Sequence, residues 1–239
     1  MDGRLDILGI FAHPDDAELL AGGTLARAAS EGKRAGVIDL AAGESGTKGD
    51  ASTRVKEAEK AASILGLAVR ENLGLPDGRI EASVENRLLL AARIRALRPD
   101  VVILHHAAGR NPDHYAAFAL AREACYSSGL AKLAGDEAPH RPRRLVEAVS
   151  FLNVPPTLVV DVTSSFDAKM ESLRAYASQF EGAVEAGDVL SNGRDSLLDQ
   201  VELRCRAYGA LVQVPYGEPF LVRGPLRVED LTALAGRTM

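Results

Sequence analysis

Apolar residues in this chain fall into short unbroken bursts, separated by longer stretches where they recur every third or fourth position. The first burst, Leu5-Asp6-Ile7-Leu8-Gly9-Ile10-Phe11, reads as a buried strand. Val37-Ile38-Asp39-Leu40 is the next, a third spans about 68–73, and Val101-Val102-Ile103-Leu104 opens a fourth over 101–105. Between them the spacing turns helical. It follows Gly22-Gly23-Thr24 to Ser30 and closes at Gly32, runs over 52–65 until Gly66 stops it, and returns over about 83–97. Residues 41–50 form a polar loop spaced by Gly43, Gly46 and Gly49, and Leu75-Pro76-Asp77-Gly78 is a turn by composition.

Strands alternating with helices of this length imply βαβ crossovers. The expected fold class is therefore α/β, a Rossmann-like, mainly parallel sheet with helices on both faces. The second half is less regular. A surface loop is predicted over 131–142, strands over 145–151 and 157–161, helices over 165–180 and 196–208, and an extended segment to Arg223. No repeat, low-complexity tract or linker divides the chain, so residues 1–239 read as a single domain whose part from about 145 forms a cap.

Polar residues concentrate at two strand tips. Ala12-His13-Pro14-Asp15-Asp16 follows the first strand, which Pro14 ends because it cannot donate to a ladder. Asn111-Pro112-Asp113-His114 lies beyond the fourth. In a 3-2-1-4 strand order the first and fourth strands flank the point where the order reverses, and ligands gather there. His13, Asp16 and His114 are the donors that zinc prefers, and three protein ligands leave a position for water. Asp15 stands beside them as a general base, which points to a metal-dependent hydrolase. Singly, each tip also reads as a hydrogen-bonded turn or a helix start. His105 and His106 compete for a ligand place. Being adjacent they face opposite ways, so that one packs and the other meets solvent or the site rim. Arg54, Glu57 and Asp77 sit where they could hydrogen-bond a hydroxyl-rich ligand. Gly22-Gly23 matches no phosphate-loop pattern, which argues against a nucleotide.

Composition narrows this further. With 239 residues, 46% of them hydrophobic, the chain can bury a full core, and its formal charge of −5 argues against nucleic acid as a partner. Arg141, Arg143 and Arg144 cluster in a surface-loop segment. No apolar run approaches the ~18 residues of a membrane span, and the amino end lacks a signal-peptide pattern. Cys125 and Cys205 read as reduced core thiols, as expected in a cytoplasm.

Ala12-His13-Pro14-Asp15-Asp16 with Gly22-Gly23-Thr24 and Pro112-Asp113-His114 resembles the LmbE-like (PIG-L) zinc deacetylases of N-acetylglucosamine conjugates. Leu75-Pro76-Asp77-Gly78, Tyr176-Ala177-Ser178-Gln179-Phe180 and Tyr216-Gly217-Glu218-Pro219-Phe220 resemble the bacillithiol-biosynthesis branch, which deacetylates N-acetylglucosaminyl malate. The resemblance implies zinc, or iron in the cell, held by His13, Asp16 and His114, with Asp15 as base. It also implies Arg54 and Asp77 facing a small amino-sugar conjugate, and a homo-oligomer, trimer or hexamer. One position departs: the family's His-Pro-Asp-His reads Asn111-Pro112-Asp113-His114 here. Asn111 can donate to an oxyanion but cannot deliver a proton, while Asp113 aligns with the aspartate that orients the absent imidazole. An amidase on another sugar or thiol conjugate, or a lapsed metal- or sugar-binding relative, are the alternatives this leaves.

Overall fold

A computed structural model describes residues 3–46, 50–133, 135–180 and 196–233. The expected alternation is present as β1 (Ile7–Phe11), α1 (Asp16–Ser30), β2 (Ala35–Ala41), α2 (Ala51–Leu65), β3 (Val69–Leu75), α3 (Val84–Leu97), β4 (Val101–His105) and α4 (Pro112–Ser127). There follow β5 (Arg144–Ala148), β6 (Leu158–Asp161), α5 (Phe166–Arg174), α6 (Ala177–Phe180), α7 (Leu197–Leu211) and β7 (Gly217–Leu221). The sheet runs β3-β2-β1-β4-β5-β7-β6. β1 pairs in parallel with both β2 and β4, so the order reverses between the strands that end in the two polar tips.

The two faces of the sheet bury separate cores. Leu8, Ile10, Leu40 and Leu104 pack with Leu90 and Ile94 of α3 and with Leu120 and Ala124 of α4. Phe11, Val37 and Ile103 pack with Leu20 and Leu25 of α1, Met170 and Leu173 of α5, and Val201 and Cys205 of α7. Each such aliphatic side chain contributes roughly 1.5–3 kcal/mol of burial. Both cysteines are buried and free, and burial pushes the Cys125 thiol up to about 12 and Cys205 up to about 11.

Three local expectations change. The segment from about 145 is no cap: β5, β6 and β7 extend the same sheet, with β7 antiparallel to both neighbours. Pro219 hid β7 in the sequence, and it is tolerated because it lies just past the last β5 pair, Ala148 with Phe220, where its carbonyl accepts from Val149 N at 3.4 Å and Val149 O takes Leu152 N instead. Next, α1 begins at Asp16, so Gly22 and Gly23 lie inside it rather than before it. A Cβ on Gly23 would stand 2.7 Å from the Val162 side chain, so glycine here permits close packing. Finally, the helix expected over 165–180 breaks between α5 and α6, where Tyr176 turns fully inward and its hydroxyl donates to Glu18 at 3.3 Å. No helix among the described residues is long and apolar enough to cross a membrane.

Candidate active site

The carboxyl end of β1 delivers Ala12 and His13 into a turn that becomes α1. Asp15, the residue preceding the helix, has φ 103° and ψ −30°, a region that L-residues rarely occupy. Arg54 of α2 holds this turn. Its Nη2 donates to Pro14 O at 2.5 Å and to Asp15 Oδ2 at 3.2 Å, and its Nη1 to Gly43 O at 3.3 Å. Gly43 has φ 75°, and a Cβ there would collide with the guanidinium. Expected to face a sugar, Arg54 is instead buried with both terminal nitrogens bonded to protein acceptors, while its Nε has no partner among the described residues. Glu57, one turn on, is likewise engaged, accepting from Ser178 N and Oγ at 2.8 and 2.7 Å.

Asp16 is the hub. Its Oδ2 accepts from His13 N at 2.9 Å and lies 3.4 Å from His13 Nδ1, while Oδ1 lies 3.1 Å from His114 Nε2. One donor atom from each of His13, Asp16 and His114 falls within 4.8 Å of the others. On the far side of the ring, His13 Nε2 lies 3.1 Å from both Asp113 Oδ2 and Asp77 Oδ1. Asp113 is fixed by Gly78 N at 2.7 Å and Ile80 N at 3.2 Å, and Asp77 by Ser45 N at 2.8 Å. Carboxylates behind a histidine ring, setting its tautomer, are the usual surroundings of a metal-ligating imidazole.

The two competing histidines separate as their adjacency predicts. His105 is buried, its Nε2 accepts from Ala12 N at 3.0 Å, and its ring stacks on His114 at 4.1 Å. Burial pulls its pKa down to about 4, so it stays neutral, with its Nε2 lone pair already used. It props His114. His106 faces the other way, its Nδ1 3.2 Å from Glu147 Oε2, and Arg223 donates to that carboxylate. Asn111 is exposed and caps α4: its Oδ1 accepts from Asp113 N at 2.9 Å, with Pro112 following in the first turn. Asp113 therefore orients His13 rather than residue 111.

The donor set suits a cation. Four carboxylates, Asp15, Asp16, Asp77 and Asp113, surround His13 and His114, and Arg54 is the cation bonded to Asp15. Burial opposes a charge on His13, yet its bonds to Asp16 and Asp113 raise it to about 10. His114 is also raised, by Asp16 against burial. Protons thus occupy the place that positive charge requires. Burial and the Asp16 charge push Asp15 up to about 7, against the pull of Arg54 and His13. A nitrogen-oxygen set of two imidazoles and one carboxylate fits zinc or ferrous iron.

A family profile described as PIG-L, GlcNAc-PI de-N-acetylase, matches residues 8–125, a span that includes every one of these groups. A 1D-myo-inositol 2-acetamido-2-deoxy-alpha-D-glucopyranoside deacetylase of Saccharopolyspora erythraea is 30% identical, over 78% of this chain and 84% of its own. The chain belongs to the PIG-L, or LmbE-like, family. A probable N-acetyl-alpha-D-glucosaminyl L-malate deacetylase 2 of Bacillus anthracis is 27% identical over 84% of this chain and 92% of its own. Among solved structures, the conserved protein TT1542 of Thermus thermophilus is 38% identical, with a TM-score of 0.85 over 94% of this chain and 97% of that one.

Sequence reasoning did not find the props of this PIG-L site: His105 as an acceptor for Ala12, the Ser45 link to Asp77, and Glu147 beside His106. None carries a local signal, because each partner comes from another element.

Proposed function

We propose that this protein is a metal-dependent N-deacetylase of an N-acetylglucosamine conjugate. The observation that carries the reading is the convergence of His13, Asp16 and His114, with the Asp15 carboxylate beside them. Relatives named as deacetylases of amino-sugar conjugates support the substrate class. His13, Asp16 and His114 would hold zinc or iron. When bound, that ion supplies Lewis-acid polarisation of the amide carbonyl and acidifies water.

The chain's own groups do the rest. Asp15 takes a proton from the attacking water, a task suited to a carboxylate raised to about 7. Arg54 keeps Asp15 aimed. As the C–N bond breaks, Asp15 returns the proton to the departing nitrogen, so that acetate and a free amine leave. Asn111 Nδ2 orients the carbonyl while its Oδ1 caps α4, and Asp113 and Asp77 hold His13. Asp77, at the rim, also meets the sugar. We take malate as the aglycone, on the resemblance of the 75–78, 176–180 and 216–220 segments to the malate branch. A homo-oligomer belongs to the same reading and is checked by sedimentation.

The test is acetate release by zinc- or iron-loaded protein from N-acetylglucosaminyl malate and from the inositol conjugate. Turnover of the malate conjugate supports the full reading. Turnover of the inositol conjugate alone keeps the chemistry and removes the aglycone. Release from neither, with metal bound at His13, Asp16 and His114, overturns the deacetylase.

A further inference from the structure

A cavity of about 370 Å³ lies between α3, the carboxyl-terminal half of α4 and the segment that leads into β5, among residues including Arg87, Arg122, Glu123, Tyr126, Arg141 and Leu145. It is separate from the metal site. Arg122 is eight residues along α4 from His114, about 12 Å at 1.5 Å per residue, towards the other end of the helix. Its volume accommodates about a dozen water-sized groups.

Its walls are cationic in a chain of net charge −5. Three arginines line it from three separate segments, against a single lining carboxylate, Glu123. That carboxylate is half-exposed and 3.3 Å from Arg87, a pair that solvent screening leaves weak. Arg87 Nε is shut off from solvent without a hydrogen-bond partner among the described residues, and Arg122 has no ion-pair partner among them. Arg141 is held in place: its Nη2 donates to Tyr126 O at 3.2 Å, and its guanidinium lies 4.6 Å over the Tyr126 ring. A Cβ at Gly129 would stand 2.6 Å from Arg141 Nε, so the glycine lets the arginine lie flat. A solvated surface cluster requires neither the fixed arginine nor the shielded donor.

We propose that this cavity binds a small organic dianion, clasped between Arg87, Arg122 and Arg141 with its carbon skeleton against Tyr126 and Leu145. Planar guanidinium forks pair with carboxylates and phosphates two bonds at a time, and a pre-positioned fork loses less freedom on binding. A dicarboxylate and a phosphate ester share this chemistry. The site does not depend on the deacetylase reading.

Isothermal titration of the metal-loaded protein with malate, glucose 6-phosphate and glucose tests it. The expected result is saturable binding of one of the two dianions, none of glucose, and a loss of about tenfold or more in affinity in both Arg122→Ala and Arg141→Ala. Which dianion binds identifies the source. Both replaced arginines are exposed, so the variants should melt as the parent does and retain its metal. Failure of both dianions to saturate overturns the proposal. So does wild-type affinity in the two variants, which would put the anion at the metal centre. A change of sedimenting mass in Arg122→Ala also overturns it, because the surface would then belong to a second copy of the chain.

Discussion

At the scale of single residues, the site is organised around the conflict at Asp15. Its backbone sits at φ 103°, its carboxylate is partly buried beside Asp16, and its pKa is pushed up to about 7. Such strain costs on the order of 1–3 kcal/mol and persists only where the surroundings over-determine it. Asp15→Asn should keep metal while lowering kcat by roughly 10²–10⁴-fold. The ionised carboxylate is the active form, so kcat/KM should rise with pH and level off above about 7. A bound cation favours the ionised form and moves this limb lower, never higher. A pH profile in Asp15→Asn that kept the limb would assign it to another group. Asn111 carries two roles that one substitution pair separates. As an N-cap its loss to Ala should cost about 0.5–2 kcal/mol in denaturant unfolding, and Asn111→Ser should restore most of that. Serine restores the cap but not the reach of the amide nitrogen. Both variants should therefore lose about 10²–10³-fold in kcat if Nδ2 orients the carbonyl. Full activity in Asn111→Ser would leave the residue only its cap.

At the scale of elements, the position of the site was legible and its bracing was not. The parallel order and the tips after β1 and β4 follow from apolar bursts and intervening helical spacing, which are local signals. Capping at Gly66 and at Asn111-Pro112 is local too. The break after α5 is not: Tyr176 leaves the helix to reach Glu18, which Arg70 of β3 also contacts, at 2.5 Å, while bridging to Asp39 of β2. These partners are far apart in sequence, and a helical pattern over 165–180 gives no hint of them. β7 was hidden by Pro219 for a similar reason, since only its neighbours show that the absent N–H is harmless. The malate-like segments have structural tasks as well, with Ser178 on Glu57, and Glu218 accepting from Gly23 and Thr24 while paired with Lys169. Arg54 is the instructive case. A charged residue near a helix start suggested a ligand, and the structure makes it a brace between the loop after β2 and the turn after β1. Arg54→Lys should therefore lower kcat to the same extent on charged and neutral acetamido sugars, with KM little changed. Steady-state kinetics on N-acetylglucosaminyl malate and N-acetylglucosamine read this directly, and a loss confined to the malate conjugate would return Arg54 to the substrate.

At the scale of the whole molecule, the proposed metal site and the fold are separable. The sheet's two aliphatic cores do not pass through His13, Asp16 or His114, and strand pairing from β3 to β6 is complete without an ion. Chelation should accordingly abolish activity while leaving a cooperative unfolding transition, lowered only by the lost binding linkage. Without an ion, protons supply the positive charge at these groups. With His13 raised to about 10, the metal-free protein carries that imidazole protonated at pH 8, where an unperturbed histidine would be neutral. Ligation needs the lone pair, so binding must expel the proton. Zinc titrations at pH 8 in buffers of differing ionisation enthalpy should show the release of about one proton per ion, and His114, also raised, adds to it as the pH falls. The sign is fixed: affinity should climb with pH through neutrality and flatten only near 10, where the free protein no longer holds the His13 proton. His13→Gln should abolish most of that release along with tight binding. Asp113→Asn, which removes one of the groups that raise His13, should reduce the proton release at pH 8 while leaving all three donors in place. Metal uptake at pH 8 with no buffer dependence would mean that the ion does not displace this proton, and the ligand assignment of His13 would fall with it.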